Sequence, residues 1–326
     1  MRSIRLPRRA FLQLAAGAVT LPAIHAEAGT YPSRSARIIV GFAPGGGNDI
    51  VGRLMAQWLS DRLGQQFIVD NRPGAGTNIA AEIVIGSAPD GYNLLLAGIP
   101  NAVNATLYRK LNFDFIRDTT PIVGVMSIPN AMVVNPSFPA KTLAEFVAYA
   151  KANPGKVNMA SPGIGSGGHL SGELFKYMAG IDLTHVPFRG NGPALVALLG
   201  GQVDVLFPSI SSARSYVSDG KLRVLGVTSA KRADALPDAP AIGEVIEGYD
   251  MVAWYGLVGP KGLASDITDK LNREVNLALV DPGIKARLAA NEGTPMGGTS
   301  ADFEALIANE TRKWSKVITA AHLSAD

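Results

Sequence analysis

The chain of 326 residues contains no cysteine. That excludes disulfides, thiolate metal sites, a cysteine nucleophile and lipidation of an N-terminal leader. Histidine is scarce as well. His25, His169, His185 and His322 are the whole set, and no two have the His-x-x-x-His spacing of a helical metal site. Phosphate-binding motifs are missing. No Lys-Ser or Lys-Thr follows the glycine run at residues 45–47, and Gly45-Gly46-Gly47-Asn48-Asp49-Ile50 does not meet the Gly-x-Gly-x-x-Gly fingerprint. Ser166 lies between Gly165 and Gly167, yet Ile164 stands where a Gly-x-Ser-x-Gly nucleophile elbow needs its first glycine. Metalloenzyme, nucleotide-binding and serine-hydrolase readings therefore lack their motifs, and neither a cofactor nor a metal is expected. A surplus of one charge is lacking too. Four of the 30 basic residues and one of the 27 acidic ones fall in residues 1–28, so the rest carries 26 of each. A near-neutral chain has no electrostatic footprint for nucleic acid.

What is present begins with a leader. Arg8-Arg9 is a twin-arginine pattern, residues 12–24 form an apolar segment too short for an ordinary span, and Ala26-Glu27-Ala28 is a small-x-small cleavage site. Residues 1–28 are expected to be a cleaved signal peptide and the product to be periplasmic. No later apolar run is long enough to cross a bilayer. With 47% apolar and 17% charged residues, the remainder has the composition of a globular chain long enough for two cores.

The organising stretch is residues 38–49. Ile38, Ile39 and Val40 read as a buried strand, Pro44 and three glycines as a turn, and Val51, Leu54, Met55, Trp58 and Leu59 as one face of a helix. Strand, glycine turn and helix start are the parts of an anion site, because the first N–H groups of a helix have no internal partner. The bland alternative is a tight turn with Asp49 as N-cap. Strands near 66–70 and 92–97, alternating with a helix near 79–86, predict parallel pairing, with ligands beyond the carboxyl ends of the strands. Residues 101–118 read as less regular. Strands at 121–126, 131–134, 157–161, 183–187, 203–207, 222–228 and 251–258 follow, and three helices close the chain after residue 265. A second strand–glycine–helix junction sits at residues 161–169, with Leu170, Leu174 and Tyr177 expected on the buried face of its helix. The pattern is α/β with two lobes: residues 29–130 and 254–326 in one, 131–253 in the other. Two crossings make a hinge, and facing glycine loops make a clamshell. His169 reads either as a helix-start residue facing the cleft or as a structural histidine. Arg189, at a strand's carboxyl end, suits a bidentate carboxylate contact or open solvent. Trp254 reads as core.

Taken in order, several segments are together similar to the Bug family of extracytoplasmic solute receptors of tripartite tricarboxylate transporters. They include Ile38-Ile-Val-Gly-Phe-Ala-Pro-Gly-Gly-Gly-Asn-Asp49, Asp70-Asn-Arg-Pro-Gly-Ala-Gly76, Ala160-Ser-Pro-Gly-Ile-Gly-Ser-Gly-Gly-His-Leu170, His185-Val-Pro-Phe-Arg-Gly190 and Lys313-Trp314. The resemblance spans essentially the whole chain after the leader. It implies a two-lobed periplasmic-binding-protein fold of type II-like form without catalytic activity. A carboxylate would be held between residues 42–49 and 161–169, largely by backbone and bound water. Family ligands include dicarboxylates, citrate-like acids, acidic amino acids, aromatic acids and nicotinate-like compounds. Ala97-Gly98-Ile99-Pro100-Asn101 departs from the family by replacing a more polar loop. The candidate ligand-binding set is Phe42, Ala43, Pro44, Gly45, Gly46, Gly47, Asp49, Thr77, Asn101, Ser161, Gly163, Gly165, Ser166, His169, Arg189 and Asp204. The implied partners are a small, carboxylated solute and a membrane permease, with the receptor a monomer. The alternative is a periplasmic sensor module feeding a signalling receptor.

Overall fold

A computed structural model describes residues 31–42, 44, 47–188 and 190–325. The leader, Ala43, Gly45, Gly46 and Arg189 lie outside the described residues. Within these, no helix is long and apolar enough to cross a membrane.

The first β-α-β-α-β run is β1 (Ala36–Val40), α1 (Gly47–Leu63), β2 (Phe67–Asn71), α2 (Asn78–Ile85) and β3 (Asn93–Gly98). β1 pairs in parallel with both β2 and β3, as the alternation of strands and helices predicts. Residues 99–118 are more ordered than expected, forming α3 (Ile99–Leu107) and α4 (Phe115–Asp118). Next come β4 (Thr119–Pro129), β5 (Ala131–Val134), α5 (Leu143–Ala152), β6 (Asn158–Ser161), α6 (Gly167–Ala179), β7 (Thr184–Pro187), α7 (Asn191–Leu199), β8 (Val205–Leu206), α8 (Ile210–Ser218) and β9 (Arg223–Val227). The chain closes with β10 (Val252–Pro260), α9 (Ser265–Val280), α10 (Pro282–Ala290), β11 (Thr294–Gly297) and α11 (Ser300–Ala320). Helix α8 and strand β11 have no counterpart in the sequence reading.

Two sheets result. One has the order β11-β4-β10-β3-β1-β2, the other β7-β6-β8-β5-β9. The chain changes sheet between β4 and β5 and again between β9 and β10. The two crossings lie side by side. The Asn130 N–H donates to Thr228 Oγ1 (2.8 Å), the Thr228 N–H to the Asn130 carbonyl (2.9 Å) and the Met251 N–H to the Thr228 carbonyl (2.8 Å). These bonds tie the two crossings to each other. Apolar faces follow helical spacing: Phe303, Ile307, Trp314, Val317 and Ile318 of α11 join the main core. On α6, Leu170, Leu174 and Phe175 are buried, whereas Tyr177 is 51% exposed. Phe175 takes the place expected of Tyr177, whose hydroxyl reaches water at the helix edge.

Candidate functional site

A cleft of about 420 Å³ is lined from both sheets and from the returning strand. Phe42, Asn48, Gly76, Ile99, Asn104, Leu107 and Tyr108 come from one side, and residues 162–167 from the other. Ala253, Trp254 and Tyr255 of β10 form the floor, with Ala325 at the edge. The helix α1 starts at Gly47, beside Asn48, and α6 starts at Gly167. Two helix N-termini from two sheets therefore meet the same space, each a source of partial positive charge and unpaired N–H groups.

The first junction is set by buried charge. Asn71, the last residue of β2, donates from Nδ2 to the Phe42 carbonyl and to Asp49 Oδ1, both at 3.0 Å. Arg53 donates from Nε to Asp49 Oδ2 (2.9 Å) and from Nη2 to Asn71 Oδ1 (3.2 Å). Asp49 is buried inside the first turn of α1 rather than capping it from outside, and its carboxylate faces Asn71 and Arg53. Thr77, with a left-handed φ of 79°, packs behind this junction. A Cβ on Gly41 would lie 2.6 Å from its Cβ, and Asn101 Nδ2 donates to its hydroxyl (3.3 Å). Asn101 Oδ1 also accepts the Gly98 N–H at 2.9 Å.

The second junction is set by neutral groups. Ser166 caps α6: its hydroxyl donates to the Gly163 carbonyl (2.6 Å) and accepts the His169 N–H (3.3 Å), and its carbonyl accepts the Leu170 N–H (2.9 Å). That leaves the Gly167 and Gly168 N–H groups of the first turn for a ligand or water. Gly163 and Gly165 have φ of 136° and 76°, which side chains tolerate poorly. The Gly165 N–H donates to His169 Nδ1 (3.2 Å) and the Gly163 N–H to Ser161 Oγ (3.2 Å), while Ser161 Oγ and His185 Nε2 share a 2.6 Å bond. The two imidazoles lie 4.1 Å apart, centroid to centroid. Burial, with help from His185 and Lys176, holds His169 down to about 3, and burial, with Lys176, holds His185 down to about 4. His169 is therefore neutral near pH 7 with its ring proton on Nε2, which is buried and makes no hydrogen bond among the described residues, with Glu173 Oε1 at 3.8 Å.

Of the sequence candidates, Phe42, Gly163, Gly165 and Ser166 line the cleft, and Pro44 and Gly47 flank it in sequence. Asp49, Thr77, Asn101, Ser161 and His169 stand behind it and shape the two loops. Ala43, Gly45, Gly46 and Arg189 lie outside the described residues. The neighbours of Arg189 back the second loop, as the Phe188 N–H donates to the Ser161 carbonyl and the Gly190 N–H to that of Pro162, both at 2.9 Å. Asp204 corrects the sequence reading. It exchanges bonds with Asn158, whose N–H reaches its Oδ2 at 2.7 Å, at the start of β6. The cleft lies past the other end of that strand, at Ser161. Its place in the 203–207 strand did not tell which end of the sheet it occupies. Trp254 is core as expected, 1% exposed and edge-on to Phe303 at 5.6 Å, yet it also forms part of the cleft floor. Asn71 and Tyr108 were missed. The only signal for Asn71 was its place at the end of a parallel strand next to the first glycine turn.

Comparison with known proteins agrees with this geometry. Residues 51–323 match the profile of the "Tripartite tricarboxylate transporter family receptor" family. BugT of Bordetella pertussis (strain Tohama I) is 36% identical over 297 residues, covering 90% of each chain. The structure of R. palustris Rpa4515 with adipate superposes with a TM-score of 0.76 at 32% identity, over 90% of this chain and 99% of that one. MatC (Rpa3494) from Rhodopseudomonas palustris with bound malate gives 0.73 at 31% identity, over 88% and 100%. The fold is the two-lobed α/β clamshell of these periplasmic receptors, and the chain belongs to the tripartite tricarboxylate transporter receptor family.

Proposed function

We propose that the protein is a periplasmic receptor that captures a small carboxylate in the cleft between its lobes and presents it to a membrane permease. The observation that carries the reading is the convergence of two helix starts, at Gly47 and Gly167, on one cleft lined by no lysine or arginine among the described residues. A carboxylate there meets backbone N–H groups and helix dipoles instead of a salt bridge. The adipate and malate of the two R. palustris structures support the same chemistry.

The lobe boundaries follow the change of sheet near residues 130 and 254. Residues 1–28 act as the export signal and are removed, and the receptor works as a monomer. Ligand closes the lobes about the Asn130–Thr228 hinge, and the closed form is what the permease engages. Within the ligand-binding set, the residues at the cleft surface contact the acid, directly or through water, and Asp49, Thr77, Asn101, Ser161 and His169 hold the loops in shape. No aspartate, glutamate or histidine among the described residues reaches the cleft to move a proton, which supports binding without catalysis. A thermal-shift screen of mono-, di- and tricarboxylates, amino acids and neutral amides tests this. An acid at a hundred times its dissociation constant raises stability by about 2.7 kcal/mol. Acids are expected to shift melting and amides of the same shape are not; equal shifts from both would remove the anion site.

A further inference from the structure

The cleft has one polar side and one apolar side. Two of the polar side chains that reach it are engaged already, whereas the buried Trp254 Nε1 has no hydrogen-bond partner among the described residues. Asn104 spends both Nδ2 protons, on the Gly76 carbonyl and on Asn78 Oδ1, each at 2.7 Å. The Ser166 hydroxyl is used in both directions by its own loop. The third helix start at the cleft, that of α3, is a poor anion site. Pro100 has no N–H, and the Gly98 N–H is already taken by Asn101 Oδ1. Away from the Gly47 and Gly167 helix starts, the walls are Phe42, Ile99, Leu107, Tyr108, Trp254 and Tyr255, and no cationic side chain among the described residues joins them.

Resting on the carboxylate-receptor reading, we infer that the cleft selects a monocarboxylic acid with an uncharged apolar body, a single-ring aromatic acid above all, over two-headed acids such as adipate and malate. One carboxylate is met by the two helix starts. A second would be stripped of water against aliphatic and aromatic side chains with no cation among the described residues to offset the loss. An aromatic ring instead gains apolar burial and edge or face contacts with the tyrosines, Phe42 and Trp254.

The test is titration calorimetry of the protein with benzoate, phenylacetate, adipate, malate and benzamide. The ring acids are expected to bind at least roughly tenfold tighter than adipate or malate. Dicarboxylates binding as tightly or more tightly would overturn the selectivity while leaving the acid receptor standing. Benzamide binding as well as benzoate, or no acid binding at all, would remove the carboxylate reading and the inference with it. Ile164 offers a second check, because it lines the cleft and is 63% exposed, so its truncation spares the core. Ile164→Ala should weaken benzoate and phenylacetate roughly threefold or more. An unchanged ring acid would show that the body of the ligand does not meet this wall.

Discussion

At the first glycine junction the loop is pinned by charge: Asp49 is buried under Asn71 and capped by the half-exposed Arg53. At the second, the same geometric task falls to Ser161, Ser166, His169 and His185, with both imidazoles kept neutral by burial. Each arrangement aims a helix start at the cleft. They differ in what disturbs them. The first depends on the Asp49 carboxylate and its contacts with Arg53 and Asn71. The second depends on histidines staying unprotonated, and its helix start is packed far more tightly. A Cβ on Gly168 would come 2.5 Å from the Phe207 carbonyl, whereas a Cβ on Gly47 meets nothing within 4 Å.

Breaking that comparison has its largest expected effect at the packed glycine. Gly168→Ala forces backbone apart and should cost about 1–3 kcal/mol of stability, with loss of ligand affinity. Gly47→Ala should leave stability within about 1 kcal/mol of the parent. Denaturant melts and calorimetry of the two variants, read side by side, check this. Next is Asp49→Ala, which leaves Asn71 and Arg53 without their shared partner and should cost about 1–3 kcal/mol; equal melts for variant and parent would reduce Asp49 to a bystander.

The acid response sharpens the contrast. Both histidines sit below their ordinary value of 6.5 in the folded protein, so the unfolded chain binds more protons as pH falls. Their stabilising effect is full above about pH 6.5 and is lost as pH falls toward about 4 to 3. Melting temperature should therefore drop by several degrees between pH 7 and pH 5, and His185→Gln should flatten that slope. A parent and a variant with the same slope would place the acid sensitivity elsewhere. The smallest effect is Arg53→Gln. Its guanidinium is largely exposed, so the loss should stay within about 1 kcal/mol and shrink further in salt.

Much of the scaffold was legible. Ile38, Ile39 and Val40 marked a buried parallel strand, and the glycine runs at 45–47 and 163–168 marked both junctions. Helix α3 was not, because Pro100, Asn101 and Asn104 look like loop residues until their partners are known. Asn101 accepts the N–H of Gly98, the helix's own N-cap, whereas Asn104 is satisfied by the Gly76 carbonyl brought in from the fold. Helix α8 was hidden by its four serines, and β11 is a short edge strand containing Pro295. The site was legible as two loops and not as a cavity. Which side chains face it depends on how β10 returns beneath α3, and residue spacing does not carry that information.

The central claim is that one carboxylate bridges the two helix starts. Amide nitrogen–proton NMR during titration with a bound acid reads it directly. The account predicts that the N–H signals of Asn48 and Asp49 on one lobe and of Gly167 and Gly168 on the other move together and fit one dissociation constant. Movement at only one helix start, or at neither while the acid binds, would contradict it.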